Sequence, residues 1–259
     1  TVGIVGFLAD PDHIETSELR ANSLLMRARP IFRTVAPGDE LRVALGDSAI
    51  LLGAAVLGAL LFAVPAAIAY SASRDGPAKA AVWALGTLAA SLPAFFWAIV
   101  LGLASVLVSL QTGLPFLPVA GFGIDEHLIL PAVALGLRPA AYIFRFSAIS
   151  IEEVRHADFV RTGIAKGLRD REVLVHHILP NAAPGIVAAI LLATRMALSS
   201  LVIVEYVYIW GGAGTLFLQA LGLRRLELAT GLALSFAVGS ALLASIASAA
   251  RSSGPLGHR

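Results

Sequence analysis

No cysteine occurs anywhere in the 259 residues, which excludes disulfides, thiolate nucleophiles and cysteine-ligated zinc. Charge is scarce as well: Asp, Glu, Lys and Arg make up 14% of the chain, against about 25% in ordinary soluble domains. That shortfall excludes a typical soluble enzyme. Only two lysines are present, Lys79 and Lys166, and neither closes a GxxxxGK[ST] phosphate-binding loop, so no ATPase site is expected in this chain. HExxH is absent, and the adjacent His176 and His177 read as structural residues, so neither a metal site nor a cofactor of the chain's own is expected. The formal net charge of +2 is dispersed between apolar runs and forms no continuous basic face, which argues against a nucleic-acid partner. The chain opens at Thr1 without a methionine, and no charged stretch followed by an apolar core marks a signal peptide.

Apolar residues dominate instead, at 58% of the chain with a mean hydropathy of +0.83. A helix needs about 20 apolar residues to cross a hydrocarbon core roughly 30 Å thick. Five runs have that length, Ala49–Ala72, Ala80–Leu110, Leu128–Ser150, Pro184–Val204 and Leu228–Ala250. The third is interrupted by Arg138 and Arg145. Helices of a soluble bundle would show a polar stripe at period 3.6, whereas these runs are apolar nearly all round. The fold class expected is therefore all-α, a polytopic transmembrane helical bundle.

Orientation follows from retained positive charge, which marks the cytoplasmic side of short loops. Arg74 and Lys79 lie in one loop, and Arg155, Arg161, Lys166, Arg169 and Arg171 in another, while 111–127 has no Lys or Arg. Both basic loops and the tail 251–259, with Arg251 and Arg259, are thus expected in the cytoplasm. Residues 1–47 form an expected external segment, and 48–250 the membrane domain, with its cytoplasmic loop at 152–182. Arg224, Arg225 and the five arginines before Asp47 run against this assignment. The latter are offset by six acidic neighbours between Asp10 and Glu40. Five spans with an external N-terminus leave room for a sixth helix upstream of Thr1.

The loop from Glu152 to Pro184 reads EEVRHADFVRTGIAKGLRDREVLVHHILPNAAP. It is long for a simple connection, and it has helical periodicity with mixed charge. A solvated hairpin and an interaction module both fit those features. Val160, Ile164, Leu168 and Val173 supply an apolar anchor, Arg161, Lys166, Arg169 and Arg171 a charged rim, and Gly167 a site for an elbow.

The run Asp158, Phe159, Val160, Arg161, Thr162, then Ala165, Lys166, Gly167, Leu168, then Val173, Leu174, His177, Leu179, Asn181 and Ala182 resembles the cytoplasmic loop of binding-protein-dependent ABC permeases of the dipeptide, oligopeptide and nickel group. In that family a glycine precedes a proline by thirteen positions with leucine just before it, as Gly167, Leu179 and Pro180 do here. Arg161, Thr162 and Gly163 replace the Glu-Ala-Ala of the general signature. Leu130, Pro131, Ala132, Ala134, Leu135, Gly136 and Arg145 are similar to the family's preceding span. Val204, Glu205, Trp210, Gly212, Gly214 and Leu216 resemble its later external turn, and Arg33 and Thr34 the end of its external loop. Arg138 and Gly211 stand where prolines are common, and the family's first transmembrane helix has no counterpart in the sequence.

The resemblance implies a type I ABC importer permease whose loop is a coupling helix seated on an ATPase subunit. Val160, Arg161, Ile164, Ala165, Lys166, Gly167, Leu168, Leu179 and Pro180 would form that contact, centred on 165–168. It also implies its partners: a second homologous permease, two cytosolic ATPases that bind the ATP and Mg, an extracytoplasmic solute-binding protein and the lipid bilayer. Arg138, Arg195, Glu205 and Trp210 are the candidates for lining the pathway. For the two arginines a buried pairing with helix carbonyls, or with an acid of the partner permease, is the competing reading. For Trp210–Gly214 a partly re-entrant or capping loop competes with an ordinary glycine turn. A secondary transporter should carry intramembrane acids, and none lies within the five runs. A scaffold subunit of a membrane complex stays open.

Overall fold

A computed structural model of the chain describes residues 39–113 and 116–252. The expectations placed on residues 1–38, Arg33 and Thr34 among them, and on the last residues of the tail, including Arg259, lie outside that range. The described residues are helical, with no strand among them. The helices are α1 (Asp39–Ala72), α2 (Pro77–Ser91), α3 (Ala94–Thr112), α4 (Ile129–Arg155), α5 (Asp158–Ala165), α6 (Asp170–Val173), α7 (Leu179–Tyr208), α8 (Ala213–Gly222) and α9 (Leu226–Ser252). Five helical segments are long and apolar enough to cross a membrane, at Asp39–Ala72, Ala94–Thr112, Glu126–Arg155, Asp170–Tyr208 and Leu226–Ala249.

The third and fourth spans run four to five residues past their expected ends, to Arg155 and Tyr208, and two larger differences change the architecture. The first span begins by Asp39, ten residues before Ala49, so 39–47 continues the same helix. Asp39 and Glu40 sit in its first turn, where they complement the helix dipole. The run Ala80–Leu110 is not one helix but two, because Pro93 lacks an N–H and Leu92 before it takes an extended conformation at φ −87°, ψ 137°. Both halves lie along α4. Gly86 of α2 meets Phe144, while Ala98 of α3 shares a core with Leu130 and Ala134. The pair therefore makes one kinked passage, bridged by Trp97 Nε1 donating to the Ala89 carbonyl.

Small residues set the packing. The buried face of α1 is Ala55, Ala59, Ala63, Ala67 and Ser71, one residue every four, the spacing that keeps side chains on one helix face. Such seams let backbones approach closely, which is how helices associate where apolar burial gives no advantage over lipid. Across from it on α4, Gly136 sits so near α1 that an added Cβ would lie 2.9 Å from the Ala55 carbonyl oxygen. On the other side of α4, Gly185 of α7 faces Ser150, whose Cβ would lie 3.1 Å from an added Cβ. Thus α4 is clamped between α1 and α7.

The start of α7 carries a π turn over Leu174–Ile178. In a regular helix the Pro180 ring would collide with the carbonyl four residues back. The wider turn avoids this: Leu179 N donates to Leu174 O, and Asn181 Nδ2 takes up the His177 carbonyl at 2.6 Å. Further along, α9 packs on α7 and α8 and leaves Leu234, Val238, Leu242 and Ile246 exposed.

The close crossing of α1 and α4 gives a direct test. Gly136→Ala is expected to cost about 1–3 kcal/mol through overpacking and to lower the thermal midpoint of the purified protein. Gly58→Ala, with nothing within 4 Å of the added methyl, should leave it unchanged. Equal midpoints for the two variants would refute the crossing.

Candidate functional site

The loop between α4 and α7 is a built structure. After α4 ends, Ala157 turns the chain at φ −70°, ψ 147° and α5 begins with Asp158, whose carboxylate suits a helix N-terminus. The helix stops at Gly167, φ +82°, a left-handed conformation that glycine takes without steric cost. There Gly167 N donates to Ile164 O at 2.9 Å and Leu168 N to Gly163 O at 3.3 Å. These two bonds make a Schellman cap, completed by Leu168 folding back over Gly163. The expected elbow is therefore present at Gly167. Gly163 is no weak point, because Leu168 and Val173 cover it at van der Waals distance.

Burial divides the expected anchor residues into two sets. Val160 and Val173 point inward and join Ile151, Val154, Ile178 and Ala182 in a core that fixes the loop to the ends of α4 and α7. Ile164 and Leu168 point outward at 53% and 37% exposure, together with Phe159 at 46%. Val160, expected at the contact, thus holds the loop and does not present it. Leu179 packs on the same internal core. Arg161, Ala165, Lys166, Gly167 and Pro180 are exposed, and Arg161 and Lys166 flank the apolar ridge. Sequence periodicity alone did not single out Phe159, because a helix of eight residues is too short to show which face is covered.

At the opposite end of α7, the segment around Trp210 folds back onto the bundle. Ile209 at φ 53° and Gly211 at φ +80° reverse the chain, and α8 then packs on α7, α9 and α1. Glu205 sits at the centre of this turn and is fully buried. Its carboxylate accepts from Ser48 Oγ of α1, from Gly214 N at 2.8 Å and from Thr215 N at 3.2 Å. Ser48 Oγ in turn accepts from Ala213 N at 2.8 Å. The acid therefore caps the N-terminus of α8 from another helix, satisfying donors that would otherwise be orphaned. Gly212 and Gly214 leave the room: a Cβ on the first would strike the carboxylate, and one on the second would lie 2.5 Å from Val202 Cα.

Trp210 is also fully buried, its Nε1 donating to the Asp47 carbonyl at 2.9 Å and its ring against Phe122. Glu205 and Trp210 were candidates for the pathway; both are sealed inside the chain here, because each is used to tie α7 to α1. Sequence could not reveal Ser48 as the partner, since it stands 157 residues from Glu205.

Of the two arginines, Arg195 is exposed on α7 and donates through Nε to Ser240 Oγ of α9 at 2.9 Å. Arg138 is half-buried on α4, and its buried Nε has no hydrogen-bond partner. Arg145 lies over the Trp83 ring, 4.9 Å from the centroid.

Residues 59–252 match the family described as the binding-protein-dependent transport system inner membrane component. The chain belongs to that family. It is 28% identical over 223 residues to the dipeptide transport system permease protein DppB of Escherichia coli strain K12, covering 76% of this chain and 64% of that one. The DppB of Bacillus subtilis strain 168 is 30% identical over 181 residues, covering 70% and 55%. The glutathione transport system permease protein GsiC of Pectobacterium atrosepticum is 31% identical over 166 residues, covering 64% and 53%. The aligned part of the chain thus spans between 53% and 64% of the length of these relatives. A chain in the inward-facing MetNI methionine ABC transporter has the same fold, with a TM-score of 0.64 at 14% identity over 80% of this chain and 93% of that one.

The family match begins within α1 and includes the whole loop, α7 and the Glu205 turn. The expectation of an all-α polytopic bundle from this family is therefore met. The carboxylate network gives a second test. Ser48→Ala should lower stability by about 1–3 kcal/mol, the usual cost of leaving a buried acceptor short of a donor. Glu205→Ala should cost more, because the Gly214 and Thr215 N–H groups and the Ser48 hydroxyl would all lose their acceptor. Thermal unfolding of the purified variants checks both, and an unchanged midpoint for Glu205→Ala would refute the capping role.

Proposed function

We propose that the chain is the membrane-spanning permease subunit of an ABC importer for peptides or related small solutes. It would form half of a pathway completed by a second homologous permease, with the 152–182 loop and the C-terminus in the cytoplasm of a cell whose inner membrane holds the bundle. The observation that carries this reading is the loop itself: a rigid, capped helix that offers Phe159, Ile164 and Leu168 to a partner while its inner face grips α4 and α7. An apolar ridge with a cationic rim is the composition of a protein-binding patch. Loop and spans are joined through one buried core, so a push on the ridge is transmitted to the spanning helices.

In this reading two cytosolic ATPases bind ATP and Mg and seat the ridge, and an extracytoplasmic binding protein delivers the solute at the Trp210 end. The names of the relatives, which concern dipeptides and glutathione, support small peptides as the solute class. A secondary transporter or a scaffold subunit is separated by one experiment. The assembled complex, reconstituted in proteoliposomes with its binding protein, should import solute only with ATP, and this chain alone should import none. Import driven by an ion gradient without ATP would overturn the proposal.

The loop geometry sets the mutational outcome. Gly167→Val forces a β-branched residue to positive φ, a strain of roughly 1–2 kcal/mol or more. Ile164→Asp places a charge on the ridge without touching the internal core. Both variants should insert normally and lose about tenfold of the solute-stimulated ATP hydrolysis, the effect of ~1.4 kcal/mol at the contact. Gly163→Ala, which the structure accommodates, should retain full stimulation. Unchanged hydrolysis with Ile164→Asp would place the contact elsewhere.

A further inference from the structure

We propose that Arg138 is an anion-binding station on the cargo-facing surface of the chain and takes a carboxylate of the passing solute. This rests on the permease reading above. Arg138, Tyr142, Arg145, Ile149 and Glu152 succeed one another at helical spacing on α4, so they share one face. The face is open: Arg138, Tyr142 and Arg145 are half-buried, and Ile149 and Glu152 are exposed. At its lower end Ile149 and Glu152 line a cavity of about 520 Å³ with Lys79 and Trp83. A stripe carrying charge thus runs from the middle of α4 toward a mainly apolar cavity at the loop end of the bundle, where Lys79 and Glu152 stand at the wall.

Arg138 lies near the middle of its span, at a depth where an arginine is costly unless it meets water, protein or a counter-charge. Its neighbour Arg145 is already satisfied by the Trp83 ring, and Arg195 by Ser240. Arg138 is not: its Nε is buried without a partner. Nor would a second copy of this chain provide one. In the five spanning segments every acidic residue stands near an end: Asp39, Glu40 and Asp47, Glu126, Glu152 and Glu153, Asp170, Glu172 and Glu205, and Glu227. Glu205, at the far end of α7, is locked into the α8 cap. No acid at mid-depth on such a copy competes for the guanidinium, whose planar fork suits a carboxylate. A solute with a free carboxylate fits this position, and a bare metal cation does not.

The chain has no cysteine, so one introduced thiol reports alone from this subunit. Tyr142→Cys places it one helical turn from Arg138, within about 6 Å. In the complete transporter in lipid, that thiol would be reacted with an anionic sulfonatoethyl and a cationic trimethylammonium-ethyl methanethiosulfonate, and the mass shift of this chain followed. With rates normalised to a free thiol, the anionic reagent should be favoured about tenfold, the scale of one unit charge at that distance in a partly wet site. The preference should survive Arg138→Lys and fall several-fold with Arg138→Gln, leaving only the share due to Arg145, which keeps its charge over the Trp83 ring. A thiol from Val133→Cys, exposed on another face of α4, should react with neither reagent. A Tyr142→Cys thiol inert to both would overturn the proposal, as would a preference left undiminished in Arg138→Gln. Absence of any preference with Arg138 intact would mean that an acid of the partner permease neutralises it, which also overturns the proposal. ATP-dependent import by the same preparation tests the permease reading separately, so either failure can be told from the other.

Discussion

Helices in hydrocarbon gain little by hiding apolar surface from one another, so this bundle rests on how closely its backbones approach. The crossing of α1 and α4 at Ala55 and Gly136 expresses that constraint, as does the approach of Gly214 on α8 to Val202 on α7, and Gly185 of α7 packs on Ser150 at the other side of α4. With α4 fixed on both sides, the positions of its two ends are fixed too. The loop and the kinked α2–α3 passage both inherit their placement from it.

The two ends of α7 are secured by different physics. At the loop end, Val160, Val173 and Ile178 pack against Ile151 and Val154 in an apolar core. At the other end a single carboxylate gathers Ser48, Gly214 and Thr215. A buried acid is expensive unless its oxygens are fully engaged, and here three donors from two other elements engage them. This arrangement joins α1, α7 and α8 into one unit.

The relation between loop and bundle gives the functional reading its physical content. Gly167 ends α5 with a Schellman cap, which presents Ile164 and Leu168 on a fixed surface. The same short helix uses Val160 for its grip on the membrane domain. In the proposed coupling, one face would receive and the other transmit. The open stripe on α4 starts at the loop end of the bundle and rises to Arg138, so the surface proposed to meet solute and the surface proposed to meet the ATPase belong to the same helix and its direct continuation.

Sequence by itself determined the membrane class, the five spanning regions, the elbow at Gly167 and the family, because each depends on local quantities: run length, charge between runs, a glycine that accepts positive φ, and spaced motifs. It also marked Pro180, but the run across Pro93 was read as one helix, since hydropathy averages over a break that only changes direction. What the tertiary structure alone decided was which side chains point where. Val160 and Ile164 look alike in sequence yet face opposite ways. Glu205 reads as a pathway acid until Ser48, 157 residues distant, is found on it. Arg138 and Arg195 are both arginines within apolar runs, but only one has a partner across a helix contact. Such pairings depend on three-dimensional neighbours, and hydrophobic periodicity is nearly silent about them when helices are apolar all round.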